Sequence, residues 1–188
     1  YPWVGENFDS YAHNAIVETS ANKALRSHLD VTSGVLEAKH VSSYKRGWTT
    51  TYNFRTVAIG TSGSSKVKWT DQTNQYRGYI QSWQNGDPSW SGLHAFARYQ
   101  TDDNLYVASI RYDGLTTIKR KLAGAYTTLA QTSIPNSYLD SNGNLKTGQW
   151  FTLKFSVFGN QLKFYLDGTQ LLTATDSNLT FGTIGIRT

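Results

Sequence analysis

The chain has 188 residues, 16% of them charged and 14% aromatic, with a net charge of +5 and neither Cys nor Met. That composition excludes a disulfide framework, a thiolate metal site and a cysteine nucleophile, and no run of about 18 apolar residues is present to span a membrane. The positive excess instead directs attention to polyanions: nucleic acid, anionic lipid or an acidic polysaccharide. Tyr1 in place of a Met is read as the end of a processed product, and the polar, aromatic, Lys-poor composition points to secretion.

In chain order, the first third is the least regular. The stretches NFDSY and GVLEAKHVSS, and part of GWTTTYNFRTVAIG, read as strands. Residues 19–29, TSANKALRSHL, carry a fair helix pattern with a Ser or Thr available as N-cap. QYRGYIQSW (75–83) alternates as a strand, and QNGDPSWSG (84–92) is a loop by its Pro and Gly content. From Leu93 a regular meander begins, with strands over 93–100, 105–112, 115–122 and 125–131. The turns between them fall at TDDN, Asp113-Gly114 and Ala123-Gly124. A second meander, QWFTLKFSVF, QLKFYL and QLLTAT, turns at Gly159-Asn160 and Asp167-Gly168, and FGTIGIRT closes the chain as one more strand. Asp-Gly suits a tight hairpin because Gly accepts positive φ without steric cost. Two amphipathic meanders bury their apolar faces best against each other. The expected fold is therefore all-β, one jelly-roll domain over 1–188: a sandwich of two antiparallel sheets with at most one or two short helices.

Alternation in the first meander assigns faces. Leu93, Ala95, Ala97, Tyr99, Tyr106, Ala108, Ile110, Ile118 and Leu122 are expected to face the core. His94, Arg98, Gln100, Ser109, Arg111, Lys119 and Lys121 are expected to share the opposite face, with no carboxylate to neutralise them. Same-face residues on neighbouring strands lie about 5 Å apart, so this face reads as a cradle for an anionic ligand. Ahead of it, Arg77, Tyr79, Gln81 and Trp83 are expected on one side of their strand, offering stacking surface, carboxylate recognition and neutral hydrogen bonds to a sugar chain.

Other chemistries find little support. No two His have metal-ligand spacing and no HExxH is present. There is no G-x-S-x-G elbow, no phosphate-binding loop and no RRM-type aromatic motif, so a nucleic-acid partner is not expected. Most of the 13 acidic residues fall at turns, which disfavours a glycosidase built on paired carboxylates. A polyuronate, however, can be cleaved by β-elimination without a metal. Arg, Gln or Asn neutralises the carboxylate beside C5, a His or Tyr takes the C5 proton, and a Tyr or His protonates the leaving oxygen.

The stretch from His94 to Ala130, followed by WFTLKFSVFGNQLKFYLDGTQL, resembles the concanavalin-A-like jelly rolls, and among them the glucuronan lyases of polysaccharide lyase family twenty. The likeness covers roughly residues 90–188 and only loosely the first third. Its generic part, W-x-x-L-K followed by a DG hairpin, is shared with laminin-G-like carbohydrate-binding modules. The resemblance implies endo-cleavage of β-1,4-glucuronan, often with a structural calcium, by a Gln neutraliser with His and Tyr as proton carriers. Carried onto this chain, those roles fall on Gln81, His40 and Tyr165, with Arg77, Tyr79, His94, Arg98, Gln100, Arg111, Lys119 and Lys121 as substrate-binding residues. Asp9 and Glu6 are the candidate side-chain ligands for calcium. Two functions are expected: a metal-independent polyuronate lyase, or a non-catalytic carbohydrate-binding module of the same fold. In both, the partner is an acidic polysaccharide met by a monomer, with no nucleic acid and no membrane.

Overall fold

The computed structural model of the chain describes residues 16–18, 29–32, 35–38, 55–58, 69–83 and 88–187. Its strands are β1 (Ile16–Glu18), β2 (Leu29–Thr32), β3 (Val35–Ala38), β4 (Arg55–Ala58), β5 (Gln72–Tyr79), β6 (Gly92–Thr101), β7 (Asn104–Arg111), β8 (Leu115–Leu122), β9 (Ala125–Ser133), β10 (Trp150–Phe158), β11 (Gln161–Leu166), β12 (Thr169–Thr175) and β13 (Thr183–Arg187). One turn of 3-10 helix, Asn136–Tyr138, precedes β10. The expected helix over 19–29 lies outside the described residues except for Leu29, which opens β2.

Two antiparallel sheets form a jelly-roll sandwich. The larger has seven strands in the order β1-β4-β13-β6-β7-β8-β9 and the smaller four in the order β12-β11-β10-β5, while β2 and β3 pair as a separate hairpin. Local sequence explains the two meanders. Ala123 and Gly124, like Asp167 and Gly168, both have positive φ, the geometry of the tight turns whose twist matches that of the flanking strands. Ala123 adopts it with its N–H donated to Asn104 Oδ1 at 3.0 Å. Along β10, burial alternates residue by residue from Phe151 to Val157, the period-two pattern of a strand with one face in a core. Leu93, Ala95, Ala97, Tyr106, Ala108, Ile110 and Ile118 from the large sheet meet Phe151, Leu153, Phe155, Val157, Leu162, Phe164 and Leu172 from the small one.

One irregularity overturns part of the expected pattern. The β6 ladder slips between Ala97 and Thr101, where Arg98, Tyr99 and Gln100 stand against Leu105 alone, and Arg98 sits at φ 46°, so a bulge in β6 re-aims the side chains beyond it. Tyr99 therefore leaves the core side and stacks on Phe96 with ring centroids 6.1 Å apart. The small sheet holds the bulge in place. Gln72 accepts the Arg98 N–H at 2.8 Å, and its amide donates to Trp69 O at 3.0 Å and Gly182 O at 3.3 Å. Asn74 donates to Phe96 O at 3.0 Å and Gly185 O at 2.6 Å. Two buried amides thus reach across the sandwich to the carbonyls of an uneven ladder, satisfying groups that are costly to bury alone. Gly182 completes the fit, since a Cβ there would lie 2.3 Å from the Arg98 carbonyl carbon.

Candidate functional site

The seven-stranded sheet carries the face expected to be an open basic cradle. Cross-strand pairing does align a polar row on it: Arg187 opposite His94, His94 opposite Ser109, Ser109 opposite Thr117, and Thr117 opposite Gln131. His94 Nδ1 lies 2.7 Å from Ser109 Oγ. Arg111 and Lys119 flank the Ser109–Thr117 pair from opposite ends, two residues along β7 and β8. The face is not open at its centre, however: His94, Phe96, Val107, Ser109 and Thr117 are all buried.

Its cations are also largely spoken for. Arg111 pairs with Asp113 at 2.5 Å. Lys121 donates to Asp102 O at 2.9 Å, lies 3.1 Å from Asp103 Oδ1 and sits over the Tyr126 ring at 5.3 Å. The expectation that no carboxylate neutralises this face is therefore corrected. Asp103 and Asp113 stand in the turns at the ends of β7, and turns fold back over the strands they join. Lys119 forms no ion pair among the described residues, and burial, then the Arg111 charge, hold its ammonium below the usual lysine range.

Arg98 and Gln100 leave this face altogether, and the bulge is the reason. Arg98 is 3% exposed, and its guanidinium donates to Thr70 O at 2.9 Å, Leu179 O at 2.7 Å and Gly159 O at 2.6 Å, with Asp71 3.7 Å away. It braces one end of the sandwich beneath a cavity of about 300 Å³ bordered by Asp71, Asn160 and Ser177. Gln100 donates to Phe181 O at 3.0 Å. Both are fold residues.

The opposite face, the outer side of the four-stranded sheet, is different in kind. Tyr79 and Trp150 pair across β5 and β10, lie with ring centroids 5.3 Å apart and are each 46% exposed. Arg77, on the same strand face as Tyr79, places its guanidinium carbon 5.0 Å from the Trp150 ring centroid. Further along β10, Lys154 Nζ lies 4.1 Å from the centroid of Tyr165 on β11, and Lys163 stands opposite Ser156. β5, β10, β11 and β12 contain no Asp or Glu at all. Arg77, Lys154 and Lys163 take part in no ion pair among the described residues. Cations lying on aromatic rings, with no acid in the strands beside them, form a surface ready for an outside partner.

This geometry also sorts the residues expected to form the site. Arg77, Tyr79 and Tyr165 share the outer face of the small sheet. The strand ends at Tyr79. Gln81 is exposed just beyond it, while Trp83 turns away, donating to Leu145 O at 2.8 Å and packing edge-on against Tyr112 at 5.0 Å. Tyr165 lies level with Lys154 and Gln75, so four strand residues, about 13 Å at 3.3 Å each, separate it from the level of Tyr79. Gln81 follows the Tyr79 end of β5, so the sheet does not bring it level with Tyr165. His40, and the calcium candidates Glu6 and Asp9, lie outside the described residues. No group of three His, Asp or Glu side chains is placed to hold a metal ion among the described residues. Trp150 joins the site from outside the expected set, although alternation with buried Phe151 and Leu153 marks it as outward.

No protein-family model matches the sequence, and a comparison with curated proteins returns no match. Solved structures match the fold. A carbohydrate-binding module, CBM66, from Bacillus subtilis is 20% identical with a TM-score of 0.54, covering 72% of this chain and 73% of that one. The β-glucanase of Bacillus licheniformis is 14% identical with a TM-score of 0.58, over 97% of this chain and 82% of its own. The laminarinase catalytic domain of Thermotoga maritima is 12% identical with a TM-score of 0.57, over 96% and 82%. At these identities the likeness establishes the concanavalin-A-like jelly roll, a fold on which both binding modules and polysaccharide-cleaving enzymes are built.

Proposed function

We propose that this chain is a carbohydrate-binding jelly roll that holds a polysaccharide on the outer face of its four-stranded sheet. The observation that carries the reading is the Tyr79–Trp150 pair, two large rings side by side, each half exposed on a strand face whose other side is core. Water solvates such apolar surface poorly, and the C–H face of a sugar ring covers it, while Arg77 and Thr152 lie at its margin to meet hydroxyl or acid groups. The fold neighbours, a carbohydrate-binding module and two glucanases by their names, favour the same ligand class. So does the secreted location read from composition. Calorimetric titration with a panel of soluble polysaccharides tests it. At least one is expected to bind saturably, with binding lost in Trp150→Ala; a panel that binds wild type and Trp150→Ala alike would overturn it.

Cleavage of a polyuronate by β-elimination is the second reading, favoured by exposed Gln81 just past the aromatic pair, where a neutralising amide could meet a bound uronate. A rise in ultraviolet absorbance from an unsaturated product, abolished by Gln81→Ala, would establish it, and binding without any rise would leave a binding module.

A further inference from the structure

Resting on that reading of the small sheet, we infer that the glycan is acidic and is gripped at two separated subsites: a ring platform at Tyr79 and Trp150, and an anion subsite at Lys154 and Lys163. The platform and the anion subsite are four residues apart along β10, about 13 Å at 3.3 Å per residue. Lys154 pairs with Tyr165, and Lys163 with Ser156. The two lysines are therefore diagonal neighbours on adjacent strands, with Cα atoms about 7–8 Å apart. Like charges at that separation repel. On the large sheet a carboxylate comes to three such cations, Asp113 to Arg111, Asp103 to Lys121 and Asp176 to Arg120, with Lys119 the exception among the described residues. Here none does among the described residues, and all four strands of the sheet lack an acidic residue. The Tyr165 ring, 4.1 Å from Lys154 Nζ, keeps one ammonium at the surface without neutralising it.

Arg77 continues the same sign of charge to the platform itself, where it lies over Trp150. A chain of sugars carrying carboxylate or sulfate groups answers both features at once: rings to stack and anions at intervals to pair. Single-stranded nucleic acid offers anions and rings too, but it uses successive platforms for successive bases. Among the described residues the rings of this face that touch each other are Tyr79 and Trp150, tilted by 53°, while Tyr165 is covered by Lys154 and Phe158 stands at the far end of β10.

A length series of one acidic oligosaccharide, oligoglucuronates from the disaccharide upward, tests the inference by calorimetry against the neutral series with the same backbone. The shortest members should bind wild type and Lys154→Ala/Lys163→Ala equally, because they reach only the platform. Once the oligomer spans both subsites, affinity for the acidic series should step up by about tenfold, the worth of two exposed ion pairs. The step should be absent from the neutral series, from Lys154→Ala/Lys163→Ala and from the charge-removing Lys154→Gln/Lys163→Gln, and it should shrink in high salt. Equal affinities for acidic and neutral series, or a step that survives in both double variants, would overturn the inference while leaving the platform standing. A Trp150→Ala variant that binds every member as wild type does would instead remove the platform reading beneath it. Binding of oligothymidylate more tightly than of any acidic oligosaccharide would replace the glycan with nucleic acid.

Discussion

The outer faces of the two sheets both read as basic, yet the structure treats their charges in opposite ways. On the large sheet, two of the cations meet carboxylates from the neighbouring turns, Arg111 with Asp113 and Lys121 with Asp103, Lys119 being the exception among the described residues, and the centre of the face around His94 and Ser109 is buried. On the small sheet, Arg77 and Lys154 lie on Trp150 and Tyr165, no acid stands in any strand, and the rings of Tyr79 and Trp150 remain half exposed. Strand periodicity says which side chains share a face. It does not say whether that face meets solvent, nor whether a turn will bring an acid to it.

The largest effect is expected at the frame that both faces share. Asp176, in the loop after β12, accepts a hydrogen bond from Tyr106 of β7 at 2.6 Å, pairs with Arg120 of β8 and receives the Asn178 N–H at 2.9 Å. Burial alone would raise its carboxyl, but Tyr106, the Asn178 amides and Arg120 outweigh that and hold it below the usual carboxylate range; burial and Asp176 together push the Tyr106 hydroxyl up to about 12. Asp176→Ala should cost about 3 kcal/mol, since it strands a partly buried Arg120, and should weaken ligand binding through loss of the folded state. A carboxyl depressed in the folded state contributes stability above its unfolded value, about 4, and loses it as pH falls through the folded value. Denaturant midpoints should therefore drop below about pH 4 in wild type and drop less steeply in Asp176→Asn.

The next largest effect separates the faces. Trp150→Ala should lose on the order of tenfold or more in polysaccharide affinity, as central aromatic contacts do, with little change in melting temperature because the ring is half exposed. Lys121→Ala, on the other sheet, should leave affinity unchanged, since its charge is taken up by Asp103 and its ammonium also donates to the Asp102 carbonyl. The reverse result would return the ligand to the large sheet. Smallest is the stability contribution of the Lys154–Tyr165 contact, about 0.5–1 kcal/mol at an exposed site, which a double-mutant cycle on those two residues should recover.

Much of this architecture is legible in the sequence, and the misreadings have physical causes. The strands from Leu93 to Thr175 lie where alternation and turn dipeptides place them, because the Asp167-Gly168 and Ala123-Gly124 turns fix their hairpins locally. Alternation puts Arg98 and Tyr99 on the wrong sides because a single bulge reverses it downstream, and the side chains that stabilise the bulge, Gln72 and Asn74, come from the other sheet. Trp150 escapes a strand-by-strand reading because its significance comes from pairing with Tyr79, about 70 residues earlier in the chain. Alternation does place Tyr165 outward, but its distance from Gln81 depends on strand order, which no single strand reveals.

The most direct measurement tracks backbone and indole amide resonances of the nitrogen-labelled chain as an acidic polysaccharide is added. Binding on the small sheet predicts shifts concentrated at Tyr79, Trp150 including its indole N–H, Lys154 and Lys163, with His94, Ser109 and Lys119 unmoved. Shifts gathered at His94, Ser109 and Lys119, with Trp150 silent, would contradict it.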